Sequence, residues 1–185
     1  MKNLYYNLDT DQARHYASLA KGDKMVLVVS LKEQPPKGSS ILHIDDKVYF
    51  EYPYGDVVGY DFPYPLNSRI GLRETWEWLE GYNLGEYWYV YKVDGKPNVP
   101  EWQGNFKWHS SQCQPIEAIR HWATVMELRV DRVQEVFVCE WYRAGFPDTT
   151  TPAEIKGANW FNRRYKGKWT WEQNPYCQIV TIEKE

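Results

Sequence analysis

The order of apolar and polar residues predicts a chain in which strands outnumber helices. Alternation of apolar and polar side chains favours strands with one buried face, and short apolar runs favour buried strands. Strands are predicted on this basis at residues 25–29, 41–44, 47–50, 70–73, 86–93, 126–131 and 176–182. Apolar spacing and capping residues predict helices at residues 9–20, 136–145 and 152–165.

Two of these elements carry predictions about which side chains are buried. In the first helix, one apolar face is formed by Ala13, Tyr16, Ala17 and Ala20. In the strand at 126–131, the side chains predicted to point inward are those of Met126, Leu128 and Val130. Asp9 or Thr10 is expected to cap the helix, because a side-chain oxygen there can accept a hydrogen bond from the first free amides.

Two segments lack such patterns. Residues 52–65 are rich in Pro, Gly and Tyr and predict an irregular loop, and residues 96–115 predict a long one. A loop of that length is typically functional or disordered, and the rings of Trp102, Phe106 and Trp108 argue against disorder. Together the elements predict a single α+β domain over residues 1–185.

Near the middle of the chain, residues 69–76 combine charged, hydroxyl and aromatic side chains at the end of a predicted strand. A short strand ends in the opposite charges of Arg73 and Glu74, which are followed by Thr75 and Trp76. Such a strand end is expected at the rim of a pocket. The alternative is an arginine that pairs with a neighbouring carboxylate and a tryptophan that fills the core.

Aromatic content and charge narrow the classes of function. The chain of 185 residues holds 10 Trp and 15 Tyr. These side chains fill cores, and they also stack on bases and sugars, so both roles stay open. A net charge of −3 argues against generic binding of duplex DNA, which needs an extended basic surface.

A basic and aromatic cluster lies late in the chain. Its basic members are Lys156, Arg163, Arg164, Lys166 and Lys168, and its rings are those of Trp160, Phe161, Tyr165 and Trp169. Basic side chains contact phosphates and rings stack on bases, which favours a ligand surface. The alternative is an amphipathic helix with buried rings and a solvated basic face.

The cysteines, the histidines and the lack of known motifs argue against several common classes of protein. Three cysteines without a CxxC pair predict free thiols and a cytoplasmic location, and no signal peptide or membrane span is expected. His109, Cys113 and His121 lack the tight spacing of a structural zinc site, so no metal and no cofactor are expected. No GxSxG, HExxH, P-loop or GxGxxG motif is present.

Three stretches of the chain match known motifs in order. Residues 69–76 resemble the signature G-D-x-L-W-V-R-E-T-W, residues 107–136 resemble a segment that begins Lys-Trp and continues through W-A-S-R and V-x-x-L-Q-D-I, and residues 171–176 resemble W-D-A-N-P-W. In these motifs the chain resembles the ASCH domains of the PUA-like superfamily, in their phage type. The resemblance implies a mixed, curved PUA-like β-barrel with flanking helices. It also implies binding of RNA, or of a modified or flipped base, in a cleft of the barrel.

One departure from the family concerns catalysis. Some ASCH proteins resemble amidohydrolases of N4-acylated cytidine, and others are ribonucleases. The family usually carries a G-R-K-T-x-T-R-R motif, which corresponds to residues 22–29 of this chain. Lys24 is kept, but Met25 and Leu27 replace the two threonines, and valines replace the two arginines. Because Met and Leu supply no hydroxyl, catalysis is not favoured. In an enzyme, Lys24 would be the nucleophile or base and Glu74 the proton shuttle.

Three hypotheses of function follow. The first is a phage-type protein that binds nucleic acid, with single-stranded RNA favoured, or a nucleotide base, without catalysis. Its expected ligand contacts are Arg73, Glu74, Thr75, Trp76, Trp108, Arg163, Arg164, Lys166, Lys168 and Trp169. The second is a hydrolase of a modified nucleoside or of RNA. The third is a phage factor that binds a host protein, which the acidic first half of the chain would favour.

Overall fold

The computed structural model describes residues 4–44, 47–80, 87–95, 107–147 and 149–185. Within these ranges the strands are β1 Leu4–Asn7, β2 Lys24–Ser30, β3 Ser40–Ile44, β4 Lys47–Glu51, β5 Val57–Gly59, β6 Arg69–Arg73, β7 Trp76–Glu80, β8 Tyr87–Tyr91, β9 His121–Arg132 and β10 Tyr176–Lys184. The α-helices are α1 Thr10–Ser18, α2 Val138–Arg143 and α3 Ala153–Arg164. The chain is therefore α+β, as the pattern predicted.

The described strands form three sheets. The largest has the order β1-β6-β9-β10-β2, in which β1 runs parallel to β6 and the other pairs are antiparallel. The second contains β3, β4 and β5, and the third is the hairpin β7–β8. The large sheet keeps two edges, at β1 and β2, and the described pairings do not close it into a barrel.

Strand β2 is covered on both of its faces. Met25 and Leu27 pack with α1 side chains such as Tyr16, whereas Val26 and Val28 pack on the other side with side chains of α2 and α3. A strand buried on both faces has a continuous apolar sequence instead of an alternating one. This explains the run at residues 25–29, and the predicted buried strand is confirmed.

The first helix begins where the sequence predicted and buries a narrower face. Asp9 is its cap, and its Oδ1 accepts a hydrogen bond of 2.9 Å from the Gln12 amide. The buried residues of α1 are Gln12, Ala13 and Tyr16. Ala17 is exposed, and Ala20 is exposed beyond the end of the helix at Ser18, so the predicted wider apolar face is wrong.

Strand β9 is longer than predicted and contains a bulge. The pairing with β10 passes from Thr181–Glu127 directly to Ile182–Val125, which leaves Met126 without a partner. One extra residue reverses the alternation of faces. Val125 therefore points inward and Met126 is 37% exposed, which corrects its predicted burial.

The remaining predictions of strands, helices and loops are confirmed only in part. The hairpin of β3 and β4, the closing strand β10, and helices near 136–145 and 152–165 are confirmed, although α2 is shorter than predicted. The segment 52–65 contains the short strand β5, so it is not wholly irregular. Of the predicted loop 96–115, residues 96–106 lie outside the described residues, whereas Ser111–Cys113 form a 3-10 turn. No described helix is long and apolar enough to cross a membrane.

Candidate functional site

Arg73 ends strand β6 and holds a neighbouring turn in place. Its guanidinium lies 4.1 Å from the centre of the Tyr5 ring, and its Nη1 donates a hydrogen bond of 3.2 Å to the carbonyl oxygen of Gln112. A guanidinium over a ring gains from the charge of the ring face. Arg73 therefore fixes the turn at Ser111–Cys113 against the end of β6.

Glu74 lies in the interior and not at a rim. Its side chain is 1% exposed, and both of its oxygens accept hydrogen bonds of 3.0 Å from Arg120. Arg120 also bonds Asp94 at 2.6 Å and lies 3.9 Å from the centre of the Tyr91 ring. The predicted role of Glu74 as a ligand contact or proton shuttle is thus corrected: it is one member of a buried ion pair.

The two partners of this pair have shifted pKa values. Burial raises the pKa of Glu74 above its ordinary value, although the hydrogen bonds from Arg120 oppose that shift. Burial works against the charge of Arg120, but its hydrogen bonds to Glu74 and Asp94 raise its pKa. The pair links the end of β6 to the start of β9.

Thr75, the next residue, faces a cavity of about 440 Å³ that we call the polar cleft. Its walls come from the end of β1, the turn at 110–112 and the C-terminal end of α3. The polar residues of this cleft are Asn7, Asp9, Thr75, Ser110, Ser111, Gln112 and Arg164. The structure therefore brings two predicted site regions together, the strand end at 73–76 and the late basic cluster.

Arg164 supplies the positive charge of the polar cleft. Its Nη2 donates a hydrogen bond of 3.0 Å to the carbonyl oxygen of Asn7, and its guanidinium lies 4.7 Å from the Tyr6 ring centre. Burial works against its charge, but Tyr6 and Tyr165 raise its pKa above the ordinary value. It also has a hydrogen bond with Tyr165, and among the described residues no carboxylate forms an ion pair with it, although Asp9 of the same cleft favours its charge.

A second cavity of about 280 Å³ shares Asp9 and Arg164 with the polar cleft. Arg163, which is exposed, and Arg164 line it together with Asp9 and Asp11. Both carboxylates already have contacts, since Asp9 caps α1 and Asp11 bonds Arg14 at 3.1 Å. They reduce the positive potential of the groove without pairing with its two arginines.

Trp76 borders a cavity of another kind, which we call the aromatic cleft. This cavity of about 310 Å³ is lined by Trp76, Trp78, Tyr89 and Pro115. Trp78 and Tyr89 are paired across the β7–β8 hairpin and share one face, which also carries Trp76. Trp76 is 8% exposed and Trp78 is 44% exposed, so one tryptophan of the cleft is buried and the other is exposed to solvent.

Neighbouring residues of the chain border the two clefts. Thr75 lines the polar cleft and Trp76 the aromatic one. On the facing segment, His109 exchanges two backbone hydrogen bonds with Trp76, of 2.7 and 3.2 Å, and Ser110 lines the polar cleft. The chain thus carries a polar cleft with the Arg164 guanidinium on one side of the Thr75–Trp76 bond and an aromatic cleft on the other.

Lys24 is not part of this arrangement. It is exposed and pairs with Glu127 at 3.1 Å on the edge strand β2. Strands β10 and β9 lie between β2 and β6, and cross-strand pairing aligns Lys24 with Arg69, five residues from Glu74. With strands about 4.8 Å apart, Lys24 and Glu74 are separated by at least roughly 14 Å across the sheet.

The late basic cluster is divided between two sides of α3. Trp160 and Phe161 are buried in the core, and Trp169 packs against them. Lys166 is exposed in the turn after the helix, and the Nζ of Lys168 donates a hydrogen bond of 2.9 Å to the Lys32 carbonyl. The cluster therefore does not form one continuous surface. Trp108, another predicted contact, is partly buried beside His109.

Sequence reasoning missed several residues of the two clefts. Trp78 and Tyr89 could have been found, because a period of two from Trp76 places Trp78 on the same strand face. Asn7, Ser110 and Gln112 carry no local signal, since they reach the cleft only through the packing of distant segments. In the described part of the chain, no three His, Cys, Asp or Glu side chains are grouped so as to hold a metal ion.

Comparison of the chain with protein-family models, with curated proteins and with solved structures finds no match.

Proposed function

We propose that this protein binds single-stranded nucleic acid, with RNA favoured, across the strand end at Thr75 and Trp76. One observation carries the proposal: these two neighbours line two clefts, one with a guanidinium that has no ion-pair partner among the described residues and one walled by aromatic rings. Single-stranded nucleic acid presents phosphates and bases in succession, and proteins bind it with cationic grooves and stacking rings.

The polar cleft is suited to the phosphate backbone. Arg164 lines this cleft and Arg163 lines the second cavity beside it, and a guanidinium can bond two phosphate oxygens at once. The hydroxyls of Thr75 and Ser110 add neutral donors at the same cavity. Because two carboxylates lie close by, we expect binding of moderate strength that weakens with salt.

The aromatic cleft is suited to the bases. Trp78 is 44% exposed on the same face as Trp76 and Tyr89, so the ring presents surface to a base at this cleft. Stacking on an aromatic side chain contributes about 1–3 kcal/mol per base and depends little on sequence. We therefore expect little base specificity from this cleft.

Membership of the ASCH family and a PUA-like barrel are part of this proposal. They are supported by the three similar stretches and by the α+β architecture with a bulged central strand. Catalysis is not part of it, because the two candidate groups have other roles. Lys24 pairs with Glu127 at the sheet edge, and Glu74 is buried against Arg120.

The test is a fluorescence-anisotropy titration of a labelled single-stranded RNA, repeated with DNA, at several salt concentrations. We expect Arg163→Gln to weaken binding and to reduce the slope of log K against log salt by about 0.7, the value for one lost phosphate contact. Arg143→Gln, which removes an equally exposed charge from the end of α2, is the matched control. Equal binding and equal slopes for both variants would remove the second cavity, which Arg163 lines, from the interface.

A second variant tests the aromatic cleft. We expect Trp78→Ala to weaken RNA binding at least about fivefold, since the ring is the exposed wall of this cleft. Trp88→Ala is its control, because Trp88 is 51% exposed and pairs with Leu79 on the other face of the hairpin. Equal losses for the two variants would show that stacking at this cleft is not the source of affinity.

A further inference from the structure

A cavity of about 480 Å³ lies against the sheet of β3, β4 and β5, and we call it the tyrosine cavity. One wall is formed by β4, β5 and the segment after β5, and the other by the loop that follows β2. None of the residues that line it lines the polar cleft, the aromatic cleft or the second cavity beside the polar cleft. The tyrosine cavity is therefore a separate surface of the protein.

Aromatic rings cover the sheet wall of the cavity. Val58 of β5 is paired with Phe50 of β4, and Tyr52 lies two residues beyond Phe50, so the three side chains share one face. Phe50 is 2% exposed, whereas Tyr52 and Tyr60 are partly exposed. Tyr60 meets Phe50 edge to face, with ring centres 5.9 Å apart. Tyr54, which is 72% exposed, lies 6.2 Å from the Tyr52 ring and continues this aromatic surface into solvent.

The loop wall is held in place by hydrogen bonds. The side chain of Gln34 exchanges two of them, of 2.6 and 2.9 Å, with the backbone of Tyr176. The Lys32 amide donates to the Tyr60 hydroxyl at 3.1 Å, and Nζ of Lys168 donates to the Lys32 carbonyl at 2.9 Å. The two walls are therefore joined in the free protein. A preformed site of this kind loses less conformational entropy when a ligand binds.

Two carboxylates of the tyrosine cavity have no partner in the described part of the chain. Glu33 on the loop wall and Asp61 on the sheet wall are both exposed, and neither carboxylate forms an ion pair or a hydrogen bond with another described residue. Lys32 is the third charged residue of the lining, which leaves a net charge of −1. A ligand that carries a cationic side chain is complementary to these two carboxylates.

We propose that the tyrosine cavity binds a proline-rich segment of a partner protein that carries an arginine beside its prolines. Such segments form the polyproline II helix, which is stiff before binding and packs its rings into grooves lined by aromatic side chains. Its backbone carbonyls have no internal hydrogen bonds, and the Tyr52 hydroxyl, which has no hydrogen bond to a described residue, is a donor for one of them. Glu33 and Asp61 attract the arginine.

An added β-strand fits this surface less well than a polyproline II helix. The edge strand β5 has only three residues and ends in Gly59, and a very short edge strand gives little backbone for pairing. The cavity is instead lined by the aromatic face of the sheet. This inference goes beyond the proposed function and does not rest on it, because the two ligands use different residues.

The experiment is a fluorescence-anisotropy titration with three labelled peptides of equal length. The first has a run of prolines with an arginine at each end, so that it fits in either chain direction. The second has glutamates in place of the arginines, and the third has glycine and serine in place of the prolines. We expect the first to bind saturably and the other two at least about fivefold more weakly, since they lack the cation or the stiff rings. No saturable binding of the first peptide, or equal binding of either control peptide, would overturn the proposal.

A charge-reversal variant assigns the site. Glu33→Lys combined with Asp61→Lys is expected to invert the preference, so that the glutamate peptide binds more tightly than the arginine peptide. The control combines Glu51→Lys with Asp56→Lys, which changes the net charge equally at two exposed carboxylates that do not line the cavity. Surface substitutions of this kind have small effects on folding. The same preference in both double variants would overturn the proposal.

A second pair of variants tests the aromatic wall. Tyr52→Ala is expected to weaken binding of the arginine–proline peptide at least about fivefold, because it removes both a ring and a hydroxyl from the cavity. Tyr49→Ala is the control, since Tyr49 is also partly exposed but points to the other face of β4. Equal losses for the two variants would mean that the rings of the cavity do not hold the peptide.

A competition titration separates this inference from the proposed function. Unlabelled single-stranded RNA is expected to leave the bound arginine–proline peptide in place, and displacement would contradict a separate site. If the peptide binds and responds to these variants while RNA does not bind, the inference stands and the proposed function fails. If RNA binds and the peptide does not, the proposed function stands and the inference fails.

Discussion

Acid is expected to destabilise this protein through His121. This residue begins β9, its side chain is 15% exposed, and its ring centre lies 5.1 Å from that of Tyr16. Burial, together with the positive charges of Arg120 and Lys184, lowers the pKa of His121 from 6.5 to about 4. The folded protein therefore holds this ring neutral at pH values where the unfolded chain binds a proton.

A neighbouring carboxylate does not reverse this shift. The Nε2 of His121 lies 3.4 Å from an oxygen of Glu74, a contact that would favour the charged ring. Both oxygens of Glu74 already accept hydrogen bonds from Arg120, whose charge compensates that of Glu74 and repels a proton on His121. We therefore expect the lowered pKa to hold in the folded state.

The sign and size of the effect follow from proton linkage. Because the folded pKa is the lower one, the contribution of His121 to stability is complete above pH 6.5 and is lost as the pH falls towards 4. A difference of about 2.5 pKa units corresponds to about 3 kcal/mol, and about 2.5 kcal/mol of this is already lost at pH 4.5. This is a large part of the 5–15 kcal/mol typical of a whole domain.

The assay is urea unfolding followed by tryptophan fluorescence at pH 7.5 and pH 4.5, for the unmodified protein and for His121→Phe. The variant keeps a ring against Tyr16 and removes the titrating group. We expect the unmodified protein to lose about 2.5 kcal/mol more than the variant between the two pH values, since losses from other groups cancel in the comparison. Equal losses, or an NMR titration of His121 with its midpoint near 6.5, would refute the reasoning.

Three further predictions concern single residues. Arg120→Met should lower the free energy of unfolding by about 3 kcal/mol in urea titrations, because it leaves Glu74 as an uncompensated buried charge; a loss below about 1 kcal/mol would contradict a buried ion pair. Gly157→Ala should cost about 1–3 kcal/mol in the same assay, because the new Cβ would lie 2.5 Å from the buried ring of Trp141; an unchanged unfolding midpoint would show that the helix contact is looser. Lys24→Ala should leave RNA affinity unchanged within error, since this side chain lies at the far sheet edge; a large loss would place the interface there.

Local sequence determined most of the secondary structure. The continuous apolar run of β2 reflects a strand covered on both faces, and the cap at Asp9 is a short-range hydrogen bond to Gln12. Such features depend on side chains within a few residues of one another, so a pattern along the chain contains them. The same holds for the end of α2, where Gly145 adopts a φ of 93° that glycine tolerates best.

Pairing between distant strands decided which side chains are buried where the order of apolar and polar residues did not. Met126 belongs to an alternating run, yet the bulge against Thr181 and Ile182 turns it outward. An alternating sequence gives the same signal with or without an extra residue, because the shift exists only in the register with another strand. The narrower buried face of α1 likewise depends on where the helix meets the sheet.

The candidate site shows the same division. The sequence alone marked residues 73–76 and the arginines at 163 and 164 as chemically notable, but it did not say which side chains would be free. Glu74 turned inward because Arg120, 46 residues away, binds it, whereas its neighbour Thr75 faces a cleft. Arg164 reaches that cleft by a hydrogen bond to Asn7, 157 residues away. Residue type fixes what a group can do, and only long-range packing decides whether a partner inside the protein already occupies it.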